Sequence, residues 1–234
     1  NNGYASYTFN VQPSTHTLTV KSNDSSMGTV SGSGVYEEGE NVQISATAHY
    51  GYHFSRWNDG NTQTPRTVKV TEDKTYTAYF ERNIYQISAT CNSSQGKVES
   101  PTYAQYLDNI TMTAIPNDGY RFDQWNDGNV ENPRIIVLTQ DTALVAQFVS
   151  NQYTITTQVN DSESGQVFGS GVANYGEYVE LSAVANYGYH FAQWSDGNTD
   201  NPRIVQVTGD ATYTAHFDKN TYIVTMNYNS TEGT

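Results

Sequence analysis

Apolar and polar residues alternate with period two along most of the chain, and Gly, Asn, Asp and Ser interrupt the alternation every few residues. Leu18 and Val20 share one face of a first strand, and Val42, Ile44 and Ala46 share one face of another, because successive side chains of a strand point to opposite sides. Between these two runs SNDSSMG reads as a turn and GTVSGSG as a short returning strand. Tyr52, Phe54 and Trp57 predict a fourth strand, NDGNTQT a turn, and TVKV with TYTAYF a final pair joined at Glu72-Asp73. No stretch places four apolar residues at helical spacing, so a mainly β protein is expected.

The same pattern recurs. GYHFSRWNDGNTQTPR at Gly51–Arg66 returns as GYRFDQWNDGNVENPR at Gly119–Arg134 and as GYHFAQWSDGNTDNPR at Gly188–Arg203. Trp57, Trp125 and Trp194 lie 68 and 69 residues apart, and Gly28, Gly96 and Gly165 keep this spacing, as do Phe80, Phe148 and Phe217. A fixed period of this kind sets the architecture before any local reading does. Three small β-modules of about 68 residues are expected at 14–82, 83–150 and 151–218. Residues 1–13 read as the end of a preceding module or a linker. Residues 219–234 read as the truncated start of a fourth repeat, with Tyr222-Ile223-Val224 matching Tyr153-Thr154-Ile155 and Gly233-Thr234 falling where Gly28-Thr29 and Gly96-Lys97 fall, so the parent protein is expected to continue. Four residues, Glu81 to Ile84, separate Phe80 from Tyr85. Without a Gly/Ser tract such a joint is not a flexible tether, and modules each roughly 30 Å across are expected to line up as an elongated rod. Modules of this size stand near the lower limit for an independent core, which gives contacts between neighbours a share in stability.

Composition narrows the functional classes. Tyr is abundant, at 19 copies, and the formal charge of −13 disfavours nucleic acid and anionic lipid as partners. Cys91 is the only cysteine, which excludes an intrachain disulfide and thiolate metal clusters; it is expected as a small half-buried residue near a strand end. No apolar run has the length of a membrane span, so membrane insertion of this segment is not expected. NNGYASYTFN has no signal-peptide character, and any export signal or anchor is expected outside this segment.

The recurrent motif resembles a site, yet each position has structural work to do. Asp59-Gly60, Asp127-Gly128 and Asp196-Gly197 are turn dipeptides, and Gly51, Gly119 and Gly188 suit positions that a side chain would obstruct. Trp57, Trp125 and Trp194 are expected to anchor the cores, with their indole N–H groups satisfied by loop carbonyls. Asp59 with Arg66, Asp127 with Arg134, and Asp196 with Arg203 are expected to pair across the turns they flank. Pro65, Pro133 and Pro202 stiffen the approach to the next strand. Of five histidines only His53 and His190 hold equivalent motif positions, with Arg121 in the middle copy, which argues against a Ser-His-Asp or Cys-His centre. The carboxylates sit in turn contexts such as EEGE, TEDK and NDG, and HExxH, GxSxG and phosphate-loop patterns are missing, so no enzyme is expected. The Asn/Asp-rich loops offer oxygens that calcium could use but lack the EF-hand ladder, and no metal or other cofactor is assigned. Tyr50, Tyr52, Tyr175, Tyr187 and Tyr189 cluster in or beside the motif and form the candidate surface for a glycan or a host surface protein, where repetition would add avidity. The chain is expected to be monomeric.

The pattern GYxFxxWxDG, then NPR or TPR, then a closing Ala-x-Phe strand, copied about every 68 residues, resembles the divergent branch of the internalin-type B repeat, the InlB B-repeat domain. This resemblance covers three modules and the start of a fourth. It implies a β-grasp-like sheet, no catalytic activity, and a place in secreted or surface-anchored bacterial proteins, where such repeats act as spacers and adhesion modules. The functional expectation is therefore a stalk or adhesion segment of a bacterial cell-surface or secreted protein, with glycan or host-protein binding through the Tyr-rich loops as the alternative.

Overall fold

The computed structural model describes residue 8 and residues 12–227, and among these there are strands and turns but no helix. The first repeat contains β1 (Thr15–Ser22), β2 (Gly28–Ser31), β3 (Gly34–Glu37), β4 (Asn41–Ala48), β5 (Tyr52–Trp57), β6 (Arg66–Lys69) and β7 (Lys74–Arg82). The second repeat contains β8 (Ile84–Cys91), β9 (Gly96–Glu99), β10 (Tyr103–Gln105), β11 (Asn109–Pro116), β12 (Tyr120–Trp125), β13 (Arg134–Val137) and β14 (Thr142–Ser150). The third contains β15 (Gln152–Val159), β16 (Gly165–Phe168), β17 (Gly171–Asn174), β18 (Tyr178–Ala185), β19 (Tyr189–Trp194), β20 (Arg203–Gln206) and β21 (Ala211–Lys219). The described chain packs as two compact units: one holds the residues up to Ala89 with Glu99–Thr113 and Asn132–Leu144, the other Thr90–Val98, Ala114–Glu131 and the residues from Val145 onward. The middle repeat thus contributes to both units.

Each repeat makes a four-stranded and a three-stranded sheet, in the first repeat β3-β1-β7-β5 and β2-β4-β6. The larger sheet is mixed: β1 runs parallel to β7, with Leu18 opposite Lys74 and Val20 opposite Tyr76, while β3 and β5 pair antiparallel at the edges. The third repeat repeats this order, β17-β15-β21-β19 and β16-β18-β20, with the same parallel central pair. Alternation aims Leu18 and Val20 from one sheet, and Val42, Ile44 and Ala46 from the other, into one buried cluster closed by Trp57 and Phe80. The equivalent cluster of the third repeat gathers Ile155, Leu181, Ala183, Trp194, Val207 and Phe217. These are the mixed-sheet, β-grasp-like modules the resemblance implies, with a three-stranded sheet covering the core face.

Three local expectations change. TVKV and TYTAYF do not pair around Glu72-Asp73: β6 joins β4 in the smaller sheet, and β7 crosses to the larger one beside β1 and β5. GTVSGSG is not one strand but two, because the chain turns at Gly32, whose φ of 109° lies outside the strand region, and passes from β2 in one sheet to β3 in the other. Phe54 and Trp57 are three residues apart, which strict alternation would place on opposite faces; a bulge between Phe54 and Arg56 adds one residue and turns both rings inward, 5.3 Å apart. The same shift occurs at Phe122/Gln124 and Phe191/Gln193.

The expected opening strand of a fourth repeat is not formed at 221–227, where Ile223, Val224 and Met226 are exposed. In the first repeat this strand sits between the third and last strands of its own repeat, and no such strands stand among the described residues after Lys219. Gly233-Thr234, and most of 1–13, lie outside the described residues.

Candidate functional site

The recurrent motif forms a closed loop over each tryptophan. Trp57, Trp125 and Trp194 have no exposed surface. Each indole Nε1 donates to a carbonyl six residues on, those of Gln63, Glu131 and Asp200, at 2.9 to 3.0 Å. Each tryptophan amide donates to the carbonyl of Asn61, Asn129 or Asn198 at 2.8 Å. Burying a side chain of this size is worth roughly 4–6 kcal/mol of transfer free energy. Arg66 grips Asp59 with two bonds, Nη1 to Oδ1 at 3.1 Å and Nη2 to Oδ2 at 2.6 Å, and its guanidinium lies over the Tyr76 ring. Arg203 donates to Asp196 at 2.7 Å and lies over Tyr213. These arginines hold the carboxyls of Asp59 and Asp196 below the usual aspartate range. Asp127 accepts the amide of Asn129, and Arg134 opens β13. Pro65, Pro133 and Pro202 each follow a cis peptide bond.

Other polar side chains are also committed to the backbone. Asp73, Asp141 and Asp210 accept the amides of Thr17, Gln86 and Thr154 at 2.6 to 2.8 Å, capping the first strand of each repeat beside the start of the last. Sequence reasoning saw only turn formers there, and their equal spacing was the available signal. Cys91 closes β8, half-buried, and donates to the carbonyl of Gly96; burial pushes its thiol upward in pKa. Among the described residues no three His, Cys, Asp or Glu side chains converge on a point where a metal could sit. A hollow of about 200 Å³ beside Gln86, Ser88 and Asp141 is below the size of a typical ligand pocket. No described helix is long and apolar enough to cross a membrane.

The candidate tyrosines lead instead to the joints between repeats. A single residue, Asn83, separates β7 from β8, and it is bonded on both sides: its amide donates to Gly51 O at 2.9 Å, and its carbonyl accepts the amide of Tyr106 at 2.8 Å. His53 Nδ1 lies 3.0 Å from the side-chain oxygen of the same Asn83. Tyr106, which was not among the candidates, stands in the turn after β10 and lays its ring over Gly51. A Cβ at Gly51 would come within 2.3 Å of that ring. Tyr50, Tyr52 and Tyr85 surround it edge-on, at 5.7, 5.4 and 6.4 Å between centroids. Arg82 donates to Tyr106 O at 3.0 Å, to Asp108 Oδ1 at 2.7 Å and to Gln105, and Tyr50 Oη donates to Thr139 O at 3.0 Å. The Gln105 amide, then Arg82, holds the Asp108 carboxyl below its ordinary pKa. This whole joint lies within the first unit.

The second joint, within the second unit, uses the same plan with fewer contacts. Asn151 donates to Gly119 O and accepts from the Tyr175 amide, and the Tyr175 ring covers Gly119 between Tyr120 and Tyr153. Asp118 and Ser150 stand where the first joint has Tyr50 and Arg82. Of the five candidate tyrosines, Tyr50, Tyr52 and Tyr175 are therefore joint residues by position. Tyr187 is fully exposed and Tyr189 half-buried, flanking Gly188 on the third repeat.

Repeated mixed-sheet β-modules with tryptophan-centred cores, joined through bonded single-residue links, define a tandem β-repeat array. The divergent InlB B-repeat domain matches the chain three times, at residues 18–84, 85–152 and 155–221, and the chain belongs to this family of bacterial surface-associated repeats. By that membership its repeats are non-enzymatic domains. No curated protein matches the chain.

Proposed function

We propose that this chain is a stalk or adhesion segment of a bacterial cell-surface or secreted protein, its repeats at 14–82, 83–150 and 151–218 acting as stiff spacers and residues 219–234 opening a further one. The observation that carries this reading is the double bonding of Asn83 and Asn151: each link residue is tied by its amide to the repeat before it and by its carbonyl to the repeat after it. A link tied in this way does not swivel as a Gly/Ser linker does. In this reading Trp57, Trp125 and Trp194 anchor the cores, and Asp59/Arg66, Asp127/Arg134 and Asp196/Arg203 shape the loops. Solution X-ray scattering tests it: an extended particle with a single sharp cross-section is expected, and the broad distance distribution of freely jointed beads would refute it.

The second reading is capture of a glycan or host surface protein by the Tyr-rich loops. Full exposure of the Tyr187 ring beside Tyr189 favours it. Screening the intact chain against an oligosaccharide array separates the two, because saturable binding supports capture and its absence supports a spacer.

A further inference from the structure

We infer that the face of the third repeat formed by Tyr187, Gly188 and Tyr189, edged by Lys219 and Asn220, is an interaction surface for a further repeat of this type, one carrying Tyr in the turn between its third and fourth strands and an acid two residues later. The same face is occupied twice within the chain. Gly51 receives Tyr106, and Gly119 receives Tyr175; Gly188 has the same left-handed backbone, with φ of 85° against 84° and 82°, and among the described residues nothing lies within 4 Å of the position its Cβ would take. Gly188 O already accepts the amide of Asn220 at 2.8 Å, as Gly51 O accepts Asn83, and His190 lies 2.9 Å from the Asn220 side chain, as His53 does from that of Asn83. The link residue is thus set in its bonded position, and among the described residues no amide reaches its carbonyl.

Charge and residue type select the occupant. Lys219 ends β21 where Arg82 ends β7, and Arg82 binds Asp108, two residues after Tyr106. Glu177 stands two residues after Tyr175. Tyr187 holds the place of Tyr50, whose hydroxyl reaches the following repeat at Thr139. The face therefore offers a glycine seat for a ring, a cation for a carboxylate and a phenol for a carbonyl. The first repeat of a second copy does not fit it, because Glu38 occupies the position of Tyr106 and Tyr175 and brings a charge in place of a ring. The same difference keeps copies of this chain from polymerising head to tail.

The test extends the chain after Asn220 with a second copy of residues 152–227 and follows amide hydrogen exchange by NMR. The amide of the added tyrosine equivalent to Tyr175 is expected to exchange as slowly as that of Tyr175 itself. Gly188→Val, and Tyr→Glu at the added position, are each expected to remove that protection while the core amides of the third repeat remain protected. Fast exchange in the extended chain overturns the inference, as does slow exchange that survives both substitutions. An added repeat that stays unfolded also overturns it, since the same sequence folds when seated on Gly119. The unextended chain should sediment as a monomer at all concentrations. Head-to-tail self-association, or an oligosaccharide that saturably shifts the Tyr187 and Tyr189 signals, would assign the face to a different occupant and overturn it. The stalk reading stands or falls separately, on the scattering from the unextended chain.

Discussion

Replacing Gly51 by alanine and, separately, Gly188 by alanine measures what a joint is worth. The two glycines have φ of 84° and 85°, so the backbone penalty for an L-residue, about 1–2 kcal/mol, is common to both. At Gly188 the new methyl meets no atom of the described residues, which leaves that penalty as the cost. At Gly51 the methyl lies 2.3 Å from two carbons of the Tyr106 ring, a separation that forces the ring off its seat. The ring then loses edge contacts to Tyr50, Tyr52 and Tyr85, each worth about 0.5–1.5 kcal/mol. The bond from the Tyr106 amide to Asn83, worth a further ~1 kcal/mol, weakens with it. The Gly51→Ala chain should therefore be less stable than the Gly188→Ala chain by roughly 2–5 kcal/mol in urea unfolding, with the loss localised by hydrogen exchange to the amides of Asn83 and Tyr106. Equal unfolding of the two variants would refute the claim that Tyr106 on Gly51 holds the first two repeats together. Gly119→Ala should fall between them, because Tyr175 touches two rings rather than three.

Trp125→Ala removes a fully buried side chain and its bond to Glu131 O, and should cost about 3–5 kcal/mol by calorimetry; an unchanged melting curve would place the indole outside the core. Arg203→Ala should loosen the third loop by no more than about 1–3 kcal/mol, read as faster exchange at the Asn198 and Asp200 amides with the β-core intact. Because Arg66 and Arg203 depress the Asp59 and Asp196 carboxyls, their contribution is fully present above the ordinary aspartate value of 3.8 and is lost as pH falls through the lower folded values. Acid unfolding of an Asp59→Asn, Asp196→Asn chain should accordingly show a shallower pH dependence in that window than the parent. Cys91, with its thiol pushed up by burial, should react with a maleimide at neutral pH more slowly than a free thiol, and unfolding should abolish the difference.

The three-fold period, the strands carrying Leu18, Val42 and Ile44, and the turns at each Asp-Gly pair were legible in the chain itself, because alternation and turn chemistry act over a few residues and the repeats restate them three times. Other features depended on distant partners. The turn at Glu72-Asp73 resembles a hairpin locally, but β7 runs parallel to β1, some 56 residues earlier, and Asp73 caps the Thr17 amide there. The bulge after Phe54 follows from a requirement that two rings reach one core, which no window of alternating residues expresses. Tyr106 read as one tyrosine among 19, and only the folded joint sets its ring on a glycine 55 residues away. Period-two patterning specifies which face of a strand is buried; which strands meet, and what closes the gap between repeats, is decided by burial and hydrogen bonding between segments that sequence order keeps apart.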